Sequence, residues 1–353
     1  MSVLFAIILF SLLIFVHELG HFLTAKASGV QVNEFSLFMG PVLWQKQIGQ
    51  TLYSLRCIPI GGYCAMEGEE GDSDSPNSFG KAAWWKRAII LVAGAAMNYL
   101  MGLLLLAVFF APQKQFVTPV VSDIEPGCAL AGEQGIQEGD LLLAIDGEKI
   151  YTASDFSFLL SLNPGDVHDL LLERNGEKIL LEDFSMEKRE FPEADGTTSL
   201  RYGFSFSLTE ATVWEGAKYV WNTALNNARL GRLSLNMLLR GQAGLRDVGG
   251  PVMIVQQMAQ VADESSNLYY AVMNLVYFGA FLAINLAVMN LLPIPALDGG
   301  RVVCLLLTTA AEALTHKKID PKYEAYLHGA GMTVLMLLMA LIMFKDIIFL
   351  FMR

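Results

Sequence analysis

The chain has 353 residues, 54% of them hydrophobic and only 17% charged, with a formal net charge of −11. Soluble domains carry roughly 25% charged residues, so this composition indicates an integral membrane protein with the lipid bilayer as its main surroundings. It excludes a nucleic-acid partner, because no basic stripe is available to neutralise phosphates. Cys57, Cys64, Cys128 and Cys304 show no CxxC spacing, which argues against a zinc knuckle or a disulfide framework and for four buried, small apolar side chains.

The first apolar run, Val3 to Leu23, has the length of a membrane-spanning helix. It contains Phe15-Val16-His17-Glu18-Leu19-Gly20-His21-Phe22. On a helix, His17 and His21 lie four apart on one face, close enough for both imidazoles to bind one tetrahedral cation, with Glu18 beside them. Two nitrogen ligands, a carboxylate able to take a proton from water and open coordination positions are what a zinc hydrolase needs. The competing readings are a polar patch for helix packing and a signal-peptide core with chance histidines. No Ala-x-Ala-like cleavage site follows. Ionisable groups inside a bilayer also cost on the order of 2–3 kcal/mol each, so a cluster of them calls for a ligand.

After this run, Asn33 to Trp44 and Thr51 to Cys64 read as short extended segments with turns at Met39-Gly40-Pro41 and Ile60-Gly61-Gly62. They are too apolar for free solvation. Either they form a membrane-associated β region lining the metal cavity, whose open edge could hold an extended substrate, or they are a hairpin lying on the membrane surface. The second spanning run is Ala88 to Phe110. Its Gly94-Ala95-Ala96-Met97-Asn98 admits close helix approach, and packing is the simplest role for Asn98.

Residues Gln115 to Asp183 read as a water-exposed β-rich module. Val117 to Ile124 predicts a strand, Glu125-Pro126-Gly127 a turn and Ala129 to Gln134 a short helix. Gly135 to Ile150 predicts two strands joined by an Asp146-Gly147 hairpin. The Gly-x-x-x-Gly-Asp turn, the alternating strand and the Asp-Gly turn resemble a bacterial PDZ domain. Such domains bind peptide ends by strand addition, and a steric spacer is the alternative. Thr212 to Leu239 has helical apolar spacing with Lys218, Asn222 and Arg229 interleaved, as in an amphipathic interfacial helix. Asp247 to Val252 then breaks the chain.

The third run, Leu268 to Leu292, leads into Asn290-Leu291-Leu292-Pro293-Ile294-Pro295-Ala296-Leu297-Asp298-Gly299-Gly300. The prolines stop the helix and the glycines permit a tight turn. Asp298 is thereby presented on irregular backbone at the helix end, where a carboxylate makes a normal third zinc ligand. The fourth run, Tyr326 to Phe344, ends at Lys345-Asp346, which reads as an interface anchor. Basic residues concentrate between runs one and two (Lys26, Lys46, Arg56, Lys81, Lys86, Arg87) and between runs three and four (Arg301, Lys317, Lys318, Lys322). The positive-inside rule makes both loops cytoplasmic, with both termini and the β-rich module extracytoplasmic and the metal site toward the cytoplasmic side.

Together, the HExxH helix and the Asn-x-x-Pro-x-Pro-x-Leu-Asp-Gly-Gly element resemble the site-2 protease family of intramembrane zinc metalloproteases, specifically the bacterial RseP type. The resemblance spans the chain, including Pro59-Ile60-Gly61-Gly62-Tyr63 and Gly250-Pro251-Val252. It implies an α-helical polytopic protein of the bacterial plasma membrane with four transmembrane helices, a membrane-associated β region and an inserted PDZ domain. The expected divisions are a first membrane half (1–110), an extracytoplasmic PDZ domain with following strands (111–210), an interfacial helix and connector (211–266) and a second membrane half (267–353). It further implies a Zn2+ metalloendopeptidase that cleaves single-pass membrane proteins, with anti-sigma factors and signal-peptide remnants among the compatible substrates. His17, His21 and Asp298 match the family's ligands, Glu18 its acid/base, and Asn285 and Asn290 its asparagines near the substrate path. The β region, with Gly61 and Gly62, and Asn290 would hold the unwound substrate strand. There is room for one PDZ domain where the Gram-negative form has two, and Ala95 stands where the family often has proline. A metal transporter would need ionisable groups continuing through the membrane, and a PDZ scaffold would not need Glu18.

Overall fold

The computed structural model of the chain describes residues 2–351 apart from 70, 72, 164, 193–196, 242–243, 245–248, 264, 266, 318–319 and 321. Asp247, Val248 and Lys318 of the sequence reading lie outside the described residues. In chain order the elements are α1 (Ser2–Ser28), β1 (Val32–Ile48), β2 (Thr51–Met66), α2 (Trp84–Phe110), β3 (Gln115–Ile124), β4 (Leu141–Ile145), β5 (Glu148–Lys149) and α3 (Ala153–Leu162). There follow β6 (Val167–Arg174), β7 (Glu177–Ser185), β8 (Arg189–Pro192), β9 (Thr198–Arg201), β10 (Phe204–Glu210), α4 (Val213–Leu239), α5 (Pro251–Asp263), α6 (Leu268–Asn290), α7 (Asp298–Thr315) and α8 (Lys322–Phe351). They form two compact units, one of residues 1–109 and 227–353 and the other of residues 110–226.

Among the described residues of the first unit, four helices are long and apolar enough to cross a membrane: α1 over Phe5–Ser28, α2 over Trp84–Phe110, α6 over Leu268–Asn290 and α8 over Lys322–Ile348. At about 1.5 Å per residue, each matches a hydrocarbon core of about 30 Å. Lipid offers helices no hydrophobic reason to associate, so close backbone approach has to supply the contact. Glycine provides it at three pairings. A Cβ on Gly20 would sit 2.4 Å from the Ala93 carbonyl oxygen of α2, one on Gly102 would meet Ile284 of α6 at 2.5 Å, and one on Gly279 would meet Leu9 of α1 at 3.0 Å.

The extended segments after α1 form two long strands, without the expected turns at Met39-Gly40-Pro41 and Ile60-Gly61-Gly62. Gly40 and Gly61 are instead kinks at positive φ within the strands. Phe38 and Gly40 bend β1 so that Glu34 to Leu37 face Ala65 to Gly62 on one side and Leu52 to Leu55 on the other. Trp44 to Ile48 face Leu55 to Thr51. Among the described residues, Gly62 to Met66 therefore keep one edge without a strand partner. Arg56 holds the bends together, donating to Gly40 O, Glu34 Oε1, Tyr63 Oη and Ser36 Oγ. Val42, Leu43, Trp44 and Ile48 are exposed at the far end of the ribbon.

Three helices were not anticipated: α3, α5 and α7. Pro251 opens α5 at the position where its missing N–H costs nothing. The Asp346 carboxylate of α8 accepts from Gly250 N (3.0 Å) and Met253 N (3.2 Å) at that end. The expected interface anchor is thus corrected: Asp346 is buried, and its carboxylate satisfies helix-end donors that would otherwise be orphaned. The cysteine expectation also changes, since only Cys64 is buried while Cys57 is exposed, although all four are free thiols.

The second unit is a six-stranded sheet of order β10-β3-β4-β6-β7, with β5 paired to β4. β6 alternates, burying His168, Leu170 and Leu172, and the core adds Val121, Leu142, Ile145 and, from α3, Phe156 and Leu159. Asp146-Gly147 turns β4 into β5 with both residues at positive φ, as a tight hairpin requires. Burial would raise the Asp146 carboxyl, but donation from Asn163, His168 and the Asp169 backbone outweighs it and holds the group below its ordinary range. Ala129 to Gln134 is not helical. It forms turns leading to a bridge between Ala131 and Ile136, because Gly132 sits at φ +155 and breaks the run.

A buried ion pair locks this unit. Arg174 Nε and Nη2 donate to the two oxygens of Asp140 at 2.7 Å each, and Nη2 also donates to Gly135 O. Asp140 is fully buried. Breaking such a pair from one side typically costs about 3–5 kcal/mol. Asp140→Ala in the full-length protein should therefore speed amide exchange across β4 and β6 by on the order of a hundredfold or more, read by hydrogen–deuterium exchange mass spectrometry.

Candidate metal centre

α1 carries His17 and His21 on one face, and α7 begins at Asp298. α6 stops at Asn290, and Pro293 and Pro295 force an irregular stretch in which Ala296 takes φ +88. The Ala296 N–H donates to His328 Nδ1 of α8 at 3.1 Å, which holds this bend. Gly299 and Gly300 let the start of α7 fold tightly back, since a Cβ on either would collide with the backbone of Leu291 or Ile294. Asp298 thus stands in the first turn of a helix, a more ordered placement than the loop expected from the sequence.

The three side chains converge. His17 Nε2 and His21 Nε2 lie 3.2 and 3.4 Å from Asp298 Oδ2, and 3.2 Å from each other. Four ligands placed tetrahedrally at about 2.0–2.1 Å from zinc are separated by about 3.3–3.4 Å, so the triangle has the edge lengths of one tetrahedral face. Asp298 Oδ2 is buried and has no hydrogen-bond donor among the described residues. Burial alone would raise the Asp298 carboxyl, but the two imidazoles outweigh it and hold the group well below the usual carboxylate range. These residues fit a divalent cation with room for a further ligand. They are the one such His/Cys/Asp/Glu group among the described residues.

Glu18 lies in the electrostatic field of all three. A Cβ on Gly62 would sit 3.6 Å from Glu18 Cγ, so the open edge of β2 passes beside this carboxylate. Asn290 reaches the cluster, its Nδ2 lying 3.4 Å from His17 Nδ1. Asn285 does not: its Nδ2 donates to Phe281 O at 2.9 Å, and its Oδ1 packs toward Gly231 of α4. Gly61 and Gly62 both lie in β2.

A family model described as "Peptidase family M50" matches residues 5–338. The chain belongs to peptidase family M50. Its relatives include a protein of Clostridium perfringens described as a zinc metalloprotease, 37% identical over 99% of each chain. Another, from Fusobacterium nucleatum and described in the same words, is 34% identical over 98% of each. The regulator of sigma-W protease RasP of Bacillus subtilis is 26% identical over 98% of each. Membership in a peptidase family makes this chain a membrane-embedded protease of the site-2 type and sets aside transporter and scaffold.

Reasoning from the sequence missed the part that α2 plays in this M50 centre. The Ile90 carbonyl oxygen lies 2.8 Å from His21 Nδ1, and Asn98 lies beside His17. Gly94 faces both rings, and a Cβ there would stand 2.3 Å from His21 Nε2 and 2.7 Å from His17 Cε1. The helix spacing of Ile90, Gly94 and Asn98 was readable, but not which helix they would meet. Gly94→Ala must displace one imidazole, and ångström-scale misplacement in a reacting site costs about a hundredfold. That variant should lose peptidase activity by at least this factor in a detergent cleavage assay, with helix content unchanged by circular dichroism.

Proposed function

We propose that this protein is an intramembrane zinc endopeptidase that cleaves single-pass membrane proteins within or near their transmembrane segments. Its ligands are His17 Nε2, His21 Nε2 and Asp298 Oδ2. The observation that carries the assignment is the triangle of 3.2, 3.2 and 3.4 Å between these atoms with Glu18 beside it. Bound zinc supplies a Lewis acid that makes water nucleophilic near neutral pH and polarises the scissile carbonyl.

The chain's own residues do the rest. Glu18 takes the proton from the attacking water and delivers it to the leaving nitrogen. A helical substrate keeps its carbonyls in internal hydrogen bonds, so the segment unwinds before it reacts. The free edge at Gly61 and Gly62 offers backbone partners to the unwound strand, and the closeness of Gly62 to Glu18 favours that register. Asn290, at the end of α6, lines the same place.

The second unit is read as a single PDZ domain, on the Gly135 to Asp140 turn locked by Arg174, the Asp146-Gly147 hairpin and α3 against the sheet. The distribution of basic residues favours a place outside the cell membrane for this unit and for both termini, where a PDZ domain would take a peptide end by strand addition. The active centre faces the cytoplasmic side of the bacterial plasma membrane. The likeness to a regulator of sigma-W protease favours an anti-sigma factor as substrate, with signal-peptide remnants as a second class.

Glu18→Gln should lower cleavage by at least 10²–10⁴-fold while the purified protein still carries one zinc by elemental analysis. Retained proteolysis in that variant would overturn the role of Glu18. Mass spectrometry of membranes from cells carrying Glu18→Gln should show single-pass proteins accumulating uncut. Treatment of the wild-type protein with 1,10-phenanthroline should abolish cleavage, and added Zn2+ should restore it.

A further inference from the structure

Three positions on α2 sit one helical turn apart and face the two histidines. Ile90, Gly94 and Asn98 are spaced at four residues and share a face. Ile90 O lies 2.8 Å from His21 Nδ1, Gly94 leaves space for both rings, and the Asn98 amide lies 3.5 Å from His17 Nδ1. Both histidines turn Nε2 toward Asp298, so Nδ1 is the nitrogen left over in each. A neutral imidazole that offers the Nε2 lone pair to a cation carries its proton on Nδ1. Buried, that N–H needs an acceptor. His21 has the Ile90 carbonyl.

For His17 two amides are in reach, Asn98 at 3.5 Å and Asn290 at 3.4 Å, each with its nitrogen end forward. An amide nitrogen cannot accept. The Asn98 side chain shows which amide turns round: the residue is 2% exposed, and its Oδ1 is buried with no hydrogen-bond partner among the described residues. The two ends of a carboxamide are nearly the same size, so a half-turn brings Oδ1 to the His17 Nδ1–H within the same space, with Nδ2 taking the place that Oδ1 held. The orphaned acceptor and the unsatisfied donor then satisfy each other.

We propose that Asn98 is a positioning residue whose Oδ1 accepts the Nδ1–H of His17, fixing the tautomer and ring orientation in which Nε2 is the metal ligand. α2 would thus set the protonation pattern of both histidines, through a backbone carbonyl at one and a side chain at the other. This inference rests on the reading of His17 as a zinc ligand.

The test is zinc affinity of the detergent-purified full-length protein, by competition with a chromophoric chelator, for Asn98→Leu, Asn98→Asp and His17→Ala. Loss of such an outer partner typically weakens metal binding by about 10–100-fold, the change expected for Asn98→Leu. Asn98→Asp keeps an acceptor and should bind zinc at least as tightly as wild type. A purely structural role predicts the reverse order, because Leu fits a buried helix contact better than a buried carboxylate does. Wild-type affinity in Asn98→Leu, or tenfold weaker binding in Asn98→Asp, overturns the proposal. If Asn98→Leu fails to fold, the Asp variant alone decides. His17→Ala separates the two levels. Undiminished zinc binding there refutes the ligand assignment itself, whereas its loss beside unchanged binding in Asn98→Leu refutes only the role of Asn98.

Discussion

Asp298 Oδ2 stands within 3.4 Å of the Nε2 atoms of both His17 and His21, and among the described residues it has no hydrogen-bond donor of its own. Ionisable groups at membrane depth are costly singly, and paired ones repay the loss of water only when geometry and neighbouring hydrogen bonds are good. Much of the first unit serves that geometry. α1 sets the two rings one turn apart. The prolines after α6 and the two glycines at the start of α7 bring the carboxylate to them. The Ala296 bend is a left-handed conformation that costs a non-glycine residue roughly 1–2 kcal/mol, and the bond to His328 helps hold it. Arg301, one turn beyond Asp298, pairs with Glu69 and ties α7 to the segment after β2.

The same unit shows how helices associate without a hydrophobic drive. Glycines at the α1–α2, α2–α6 and α6–α1 contacts bring backbone and side chain close, and dispersion rather than water release holds them. Close approach also has a chemical result. Because Gly20 lets α1 lie on Ala93 and Gly94 makes room for the rings, the polar atoms of α2 come within reach of the left-over histidine nitrogens. Packing and the orientation of the two imidazoles are two consequences of one helix contact.

The second unit is stabilised by different means, as its composition requires. An alternating strand pattern builds a hydrophobic core between sheet and α3, where burial of each large side chain contributes about 1.5–3 kcal/mol. Polar locks at Asp140–Arg174 and Asp146–His168 then fix the turns around it. No metal-ligand candidate is needed for that order.

The apolar runs alone determined α1, α2, α6 and α8, because a bilayer demands a fixed length of uninterrupted apolar helix. The period of 3.6 determined α4, and the Asp-Gly dipeptide determined the β4–β5 hairpin. Spacing on one helix also placed His17, Glu18 and His21 correctly relative to each other. The shorter α3, α5 and α7 were not legible. Their apolar content is modest, and one of them depends on a carboxylate from α8 to satisfy its first N–H groups. The Asn175-Gly176 turn between β6 and β7 has both residues at positive φ, the conformation that an Asn-Gly dipeptide favours. The tertiary structure alone decided that Asn98 and Ile90 serve the histidines while Asn285 does not, and that Gly62 borders Glu18. A sequence specifies which residues share a helix face or a strand edge through local periodicity. Which face meets which is set by close packing among segments distant in the chain, and no local pattern records that.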